Sequence, residues 1–345
     1  MTLSTDQIPR RDISLDFIRL IAILLVICIH VSAKGFGPME ARHWWAVNAY
    51  ESISRVAVPL FLMVTGALLL RRETTVPDML SRVRRVITPL FVWSLLYLLW
   101  FRYNGVHTSG WIAKILQGPV VAHLWYLYTL IGAYLFLPVL TAFFQANALK
   151  TQLFVMVCWF IGASLLPTVA VITGKHYVGI NWHFLPLYAG YIVAGAILYE
   201  KIKFQRSPLY WAFAGWAICI VGIAIGTWWF SVRIRQAHEV FYAYESPFVA
   251  LGAVFAFIAL REFGRRYISG RSYADNLLPY LGKLNFGVYL AHALIIFLVD
   301  VKGLDYDFIN PWLAIPLTTL AVFFISTALV MVLQKIPYVR AIVPA

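Results

Sequence analysis

The sequence predicts an all-α protein of the membrane: a polytopic helix bundle crossing the bilayer about ten times, both termini cytoplasmic, with residues 1–345 forming a single domain. Three observations lead there. Of the 345 residues, 61% are hydrophobic and 12% charged, where a soluble globular chain carries about 25% charged residues, and so few charges could not wet the surface of a soluble fold this large. The apolar residues gather in runs near the roughly 17–25 needed to cross hydrocarbon. The 13 Trp, 19 Tyr and 24 Phe supply the amphipathic rings that settle at headgroup level.

The spans follow in order. The first, near 14–33, lacks a small-residue cleavage site and is followed by more spans, so it is expected to be retained rather than removed as a signal peptide. The second, 47–70, carries Arg55 one turn after Glu51, a spacing at which the two can pair. A polar link, Arg71 to Arg85, contains Pro77 and the string Arg82-Val83-Arg84-Arg85. The third span is expected at 86–103, the fourth at 122–144 and the fifth at 153–173. The sixth, 183–199, and the eighth, 246–260, are short, with the seventh at 209–230 between them. The ninth covers 280–300 and the tenth 311–334.

Charge sets the orientation. With the N-terminus inside, cytoplasmic segments hold 18 Lys and Arg and outer loops hold 8, which favours an even number of spans and both ends inside. The net charge of +13 is spread in short clusters between spans, a pattern that meets anionic membrane lipid rather than nucleic acid. Cys28, Cys158 and Cys219 lie in apolar runs without metal-ligand spacing, so they read as packing residues and no metal centre is expected. Asp300, Asp305 and Asp307 in the last outer loop read as solvated.

Ionisable groups inside a span cost a few kcal/mol each and usually line a cavity or pathway. Span one holds three: Asp16, Arg19 and His30. Asp16 and Arg19 share a helical face and are expected to pair. His30 comes 11 residues after Arg19, about 20° past three full turns and about 16 Å along the axis. A wet cavity beside this helix accounts for the alignment better than a snorkelling pair with a separate packed histidine. His123, Trp125 and Tyr126 open span four in the string HLWYL, and Tyr289 and His292 occupy one turn of span nine in FGVYLAH; an aromatic belt and an interhelical hydrogen bond are the plainer readings of these two.

Together these pieces resemble the membrane-bound type 3 acyltransferases. Arg19, ten residues and His30 are similar to that family's Arg-x10-His signature. Pro59 to Gly66 resembles its second-span pattern, with Thr65 where Ser is usual. Arg82-Val83-Arg84-Arg85 ahead of Pro89 resembles its Arg-x-x-Arg link, and residues 123–127 match its HLWYL string. Asn285 to His292 is similar to its late Ser-x-x-x-Tyr-x-x-His pattern, with Asn for Ser. Thr65 and Asn285 both retain hydrogen-bonding groups. The size of the chain and the stretch Tyr242 to Pro247 resemble the branch that O-acetylates surface polysaccharides such as enterobacterial common antigen, in the form without a fused extracytoplasmic domain.

The resemblance implies a multi-pass protein of the bacterial inner membrane that transfers an acyl group, most often acetyl from acetyl-CoA, to a hydroxyl of a cell-surface or lipid-linked glycan. The acyl-CoA is a donor substrate, with no permanently bound cofactor. Arg82 and Arg85, with Arg84 and Arg71 or Arg72 nearby, are expected to take its phosphates, because guanidinium forks suit phosphate oxygens. Arg19 extends that positive path and Asp16 fixes its geometry. A sugar hydroxyl needs a base, and neutral histidine suits the task; His30 is assigned that role, with an acyl-His30 intermediate as the alternative. His123, Trp125, Tyr126, Tyr289 and His292 are expected to position the acceptor or steady the oxyanion. The rival readings are a transporter or flippase of a lipid-linked sugar or small anion, for which no inverted repeat is found, and a sensor or assembly partner.

Overall fold

A computed structural model describes residues 11–40, 42–180 and 186–344. The first helix, α1 (Ile13–Ser32), starts where Asp12 accepts from the Ser14 backbone N–H at 3.0 Å. The second span is two helices, α2 (Trp44–Ser54) and α3 (Ala57–Leu69), broken at Arg55 and Val56. The cause is Pro59, which has no N–H to give the Arg55 carbonyl four residues back.

The helix α4 (Val76–Tyr103) begins ten residues ahead of the expected 86. Thr75 and Asp78 form a reciprocal capping box, and Pro77 fits the first turn, where its missing N–H costs nothing. The arginine string therefore rides on a helix rather than in a link. The remaining helices are α5 (Trp111–Gln117), α6 (Trp125–Ala146), α7 (Leu149–Trp159), α8 (Leu166–Thr173), α9 (Leu187–Ala196), α10 (Leu209–Ile234), α11 (Pro247–Phe263), α12 (Ser272–Val301) and α13 (Pro311–Lys335). The π turn Phe160–Leu165 joins α7 to α8, which makes them one span.

Among the described residues nine helical stretches are long and apolar enough to cross a membrane, against the ten expected. The difference lies in span six, whose residues 183–185, like Arg10, fall outside the described residues. Helix α9 has 10 residues and its π-turn extension, Ile197–Lys201, has 5, a rise of about 22 Å. It is tied to its neighbours by polar contacts along its length. Its Tyr191 hydroxyl donates to the Tyr244 carbonyl at 2.5 Å, and its Glu200 pairs with Arg71 at 3.2 Å.

Helix α1 is central, packed on α2, α3, α11, α12 and α13, with Ile18, Ala22, Ile23 and Ile27 fully buried. Helices α3 and α9 meet backbone to backbone. A Cβ on Gly66 would overlap the Ile192 carbonyl, and one on Gly195 would strike the Met63 backbone, the small-residue contact that membrane helices favour. Phe154 on α7, Ile218 and Val221 on α10 and Phe324 on α13 point outward, an apolar surface suited to lipid tails. At the end opposite the arginines Asp300 is paired with Lys34 rather than merely solvated.

Candidate active site

One helix carries both halves of the site. Near its start Asp16 is 2% exposed and bound by Arg11 through two bonds, Nε to Oδ2 at 2.6 Å and Nη2 to Oδ1 at 2.7 Å. Arg19 reaches the same carboxylate only at 3.4 Å. The expected Asp16–Arg19 pair is therefore the minor contact, because Arg11, five residues back, can present its fork edge-on. That bidentate bond raises the Arg11 pKa above its ordinary value. Gly282 of α12 makes the room, since a Cβ there would sit 2.9 Å from Asp16 Oδ1.

Freed from a tight carboxylate, Arg19 lines a cavity of about 540 Å³ together with Arg11, Arg82, Arg85 and Lys283. Arg82 and Arg85 are three residues apart on α4 and so share a face. Arg84 is exposed on another face and does not line the cavity. A second cleft of about 330 Å³ shares Arg11 and Arg19 and adds Arg71 and Arg72. Deeper in the first cavity the lining becomes Thr65, Tyr126, Asn285 and Tyr289. The Asn285 Nδ2 is buried and has no partner among the described residues.

Beside Tyr289 lie three histidines from three helical segments. The ring of His30 is 5.2 Å from that of His292 and 6.0 Å from that of His123, and the last two are 4.8 Å apart. Tyr289 is 5.6 Å from the His123 ring and 5.7 Å from the His292 ring, and its hydroxyl donates to the His123 carbonyl. His292 Nδ1 lies 2.5 Å from the Tyr289 carbonyl. A carbonyl oxygen only accepts, so Nδ1 carries the proton and Nε2 of the neutral ring is a lone pair. That Nε2, and both ring nitrogens of His123, are buried without a partner among the described residues. Buried polar atoms are normally satisfied, and a polar ligand between these rings would satisfy them. His30 is the partly exposed member of the three. Among the described residues no group of three or more His, Cys, Asp or Glu is arranged to hold a metal ion.

The structure thus brings together Arg19, Arg82, Arg85, Tyr126 and Tyr289 around the cavity, and His30, His123 and His292 beside Tyr289. Asp16 acts from beneath, holding arginines. Trp125 does not line the cavity and packs 5.6 Å from Tyr188 and 5.4 Å from Tyr244. Three residues escaped the sequence reading as site members. Tyr97 packs 5.3 Å from the His123 ring, and its hydroxyl bridges the Leu290 carbonyl at 2.8 Å and the Leu294 N–H at 3.2 Å, across the turn of α12 that bears His292. Nothing in the string around Tyr97 marks it. Lys283 and Arg11 looked like topology charges only. The Glu51–Arg55 pair forms as its spacing suggested, with Glu51 fully buried.

A family model described as an acyltransferase domain matches residues 12–331, which covers every residue of the cavity lining except Arg11 and Pro344. No curated protein and no solved structure matches the chain.

Proposed function

The chain belongs to acyltransferase family 3, and from that premise we propose that it carries an acyl group, acetyl from acetyl-CoA, to a hydroxyl of a cell-surface or lipid-linked glycan, with His30 as general base. One observation carries the reading: a cavity lined by five cations and no acid reaches Tyr126 and Tyr289, and Tyr289 packs on His123 and His292, which cluster with His30. Phosphate groups fit the first part and proton transfer fits the second.

In this reading the arginine-rich end is cytoplasmic, in a bacterial inner membrane, and receives the coenzyme's phosphates. The thioester reaches past Tyr126 and Tyr289. When the substrates bind, the unpartnered His292 Nε2 lone pair takes the ring N–H of His30, whose ring is 5.2 Å away, which leaves the other His30 nitrogen bare. That nitrogen takes the proton of the acceptor hydroxyl as its oxygen attacks the thioester carbonyl carbon. The carbonyl oxygen takes up negative charge facing an N–H of His123. The carbon–sulfur bond then breaks, and the proton on His30 passes to the departing thiolate.

The test is thiol release by purified protein in lipid, with acetyl-CoA and succinyl-CoA in parallel, with and without a membrane glycolipid extract. Release that needs both the extract and His30 is the expected result and identifies the donor. Well-folded protein that neither binds nor cleaves either donor with extract present returns the chain to the transporter reading.

A further inference from the structure

None of the residues that line the basic cavity belongs to a second polar cluster on the other flank of the histidines. Between α10 and α11 the chain turns back into the bundle, burying Val240 and Phe241 and fully burying Tyr242. The Tyr242 hydroxyl donates to Asn48 Oδ1 at 2.6 Å. The Arg55 guanidinium lies over the Tyr242 ring, 4.4 Å from its centroid. Arg55 is 9% exposed, and its Nε finds no acceptor among the described residues. Its partner Glu51 is fully buried and accepts from the Ser32 hydroxyl at 2.6 Å, two residues beyond His30 on α1.

Taking an ion pair out of water is costly, and a hydrophobic pair of the same volume often does as well for stability. Retaining one inside a membrane span therefore points to a task for its unused donors. Two residues past Tyr242, Tyr244 packs 5.4 Å from Trp125 and 6.4 Å from Tyr188, and Trp125 lies 5.6 Å from Tyr188. All three rings are partly exposed. The Arg55 charge acts on both His30 and Tyr244, and Tyr244 packs on Trp125, so these rings adjoin the histidines on the flank where Arg55 lies.

We propose that Arg55 and the rings of Trp125, Tyr188 and Tyr244 form the acceptor subsite, and that its occupant is a pyranose ring. The apolar C–H face of such a ring lies on aromatic faces, and its hydroxyls accept from a guanidinium. A fixed cation beside the rings disfavours a quaternary ammonium, the other common guest of aromatic cages. The assignment rests on the acyl-transfer reading of His30 and adds where, and by what chemistry, the acceptor is held.

Thiol release from acetyl-CoA is measured against dilution of the glycolipid extract for wild type, Tyr188→Ala, Tyr244→Ala, Tyr244→Phe and Arg55→Gln combined with Glu51→Gln, with acetyl-CoA binding measured separately without acceptor. Tyr188→Ala, Tyr244→Ala and the paired change Arg55→Gln with Glu51→Gln, which leaves no unpaired buried charge, are expected to raise the acceptor KM about tenfold, the scale of one stacking contact or one charge-assisted bond. Acetyl-CoA affinity stays at the wild-type value, and Tyr244→Phe restores the acceptor KM because stacking does not need the hydroxyl. Wild-type acceptor dependence in both alanine variants overturns the subsite, as does loss of acetyl-CoA binding alongside transfer, or competition by tetramethylammonium against the extract. Wild-type protein that releases no thiol sinks the acyl-transfer reading itself, a result visible before any variant is made.

Discussion

The arginine cavity and the histidine cluster are built on different physical terms, although α1 contributes to both. In the cavity, Arg11, Arg19, Arg82, Arg85 and Lys283 come from α4, α12 and both sides of the α1 cap. Arg85 and Lys283 are exposed, and Arg82 and Arg19 are partly so. Such charges act through summed potential, which tolerates imprecision and is screened by salt. The histidines are held by buried contacts: the Tyr289 carbonyl fixes the His292 tautomer, and Tyr97 braces the same turn of α12. Recognition of a highly charged donor can be shared among flexible cations. Proton transfer cannot, because it needs one nitrogen in one place.

Substitutions can break or sharpen that contrast. The largest effect is expected at His30→Ala: transfer falls by about 10²- to 10⁴-fold, the usual worth of a general base, while acetyl-CoA binding and insertion persist. Substantial turnover in that variant would remove His30 from its role. His292→Gln comes next if orientation of His30 matters, with kcat falling more than either KM. An unchanged kcat would mean that His292 only packs. Arg82→Ala with Arg85→Ala should raise the acetyl-CoA KM by about tenfold or more, one to two charge-assisted bonds, and should flatten its dependence on salt, read by titrating KM against ionic strength. Arg84→Ala, exposed and away from the lining, should leave that KM within experimental error. A KM shift as large as that of Arg85→Ala would show that the cavity is not the donor site. On stability, Glu51→Ala strands a buried guanidinium and should cost about 3–5 kcal/mol, whereas Glu51→Ala combined with Arg55→Met should recover most of it. Thermal melts in detergent decide between them.

Much of this was legible in the chain. Composition and run lengths gave the membrane bundle because hydrocarbon admits only structures that satisfy their own backbone. Helical periodicity placed Arg19 and His30 on one face of α1 before any tertiary contact was known. The start of α4 could also have been read, since Thr75-x-x-Asp78 with Pro77 is a helix start signature. The packing of the π-extended α9 was harder to read, because it depends on Gly66 and Gly195 bringing two backbones together, a fact about partners rather than about one segment.

What the sequence by itself determined is what local physics sets: that the chain is a bundle of long apolar helices, and which residues share a helix face. Only the tertiary structure decided that Asp16 answers to Arg11 before Arg19, that Arg84 stands apart from Arg82 and Arg85, and that His123 and His292 join His30 from helices distant in sequence. Contacts of that kind depend on angstrom-scale distances between helices, and those distances are set by which small residues meet and which side chains fill the space between them.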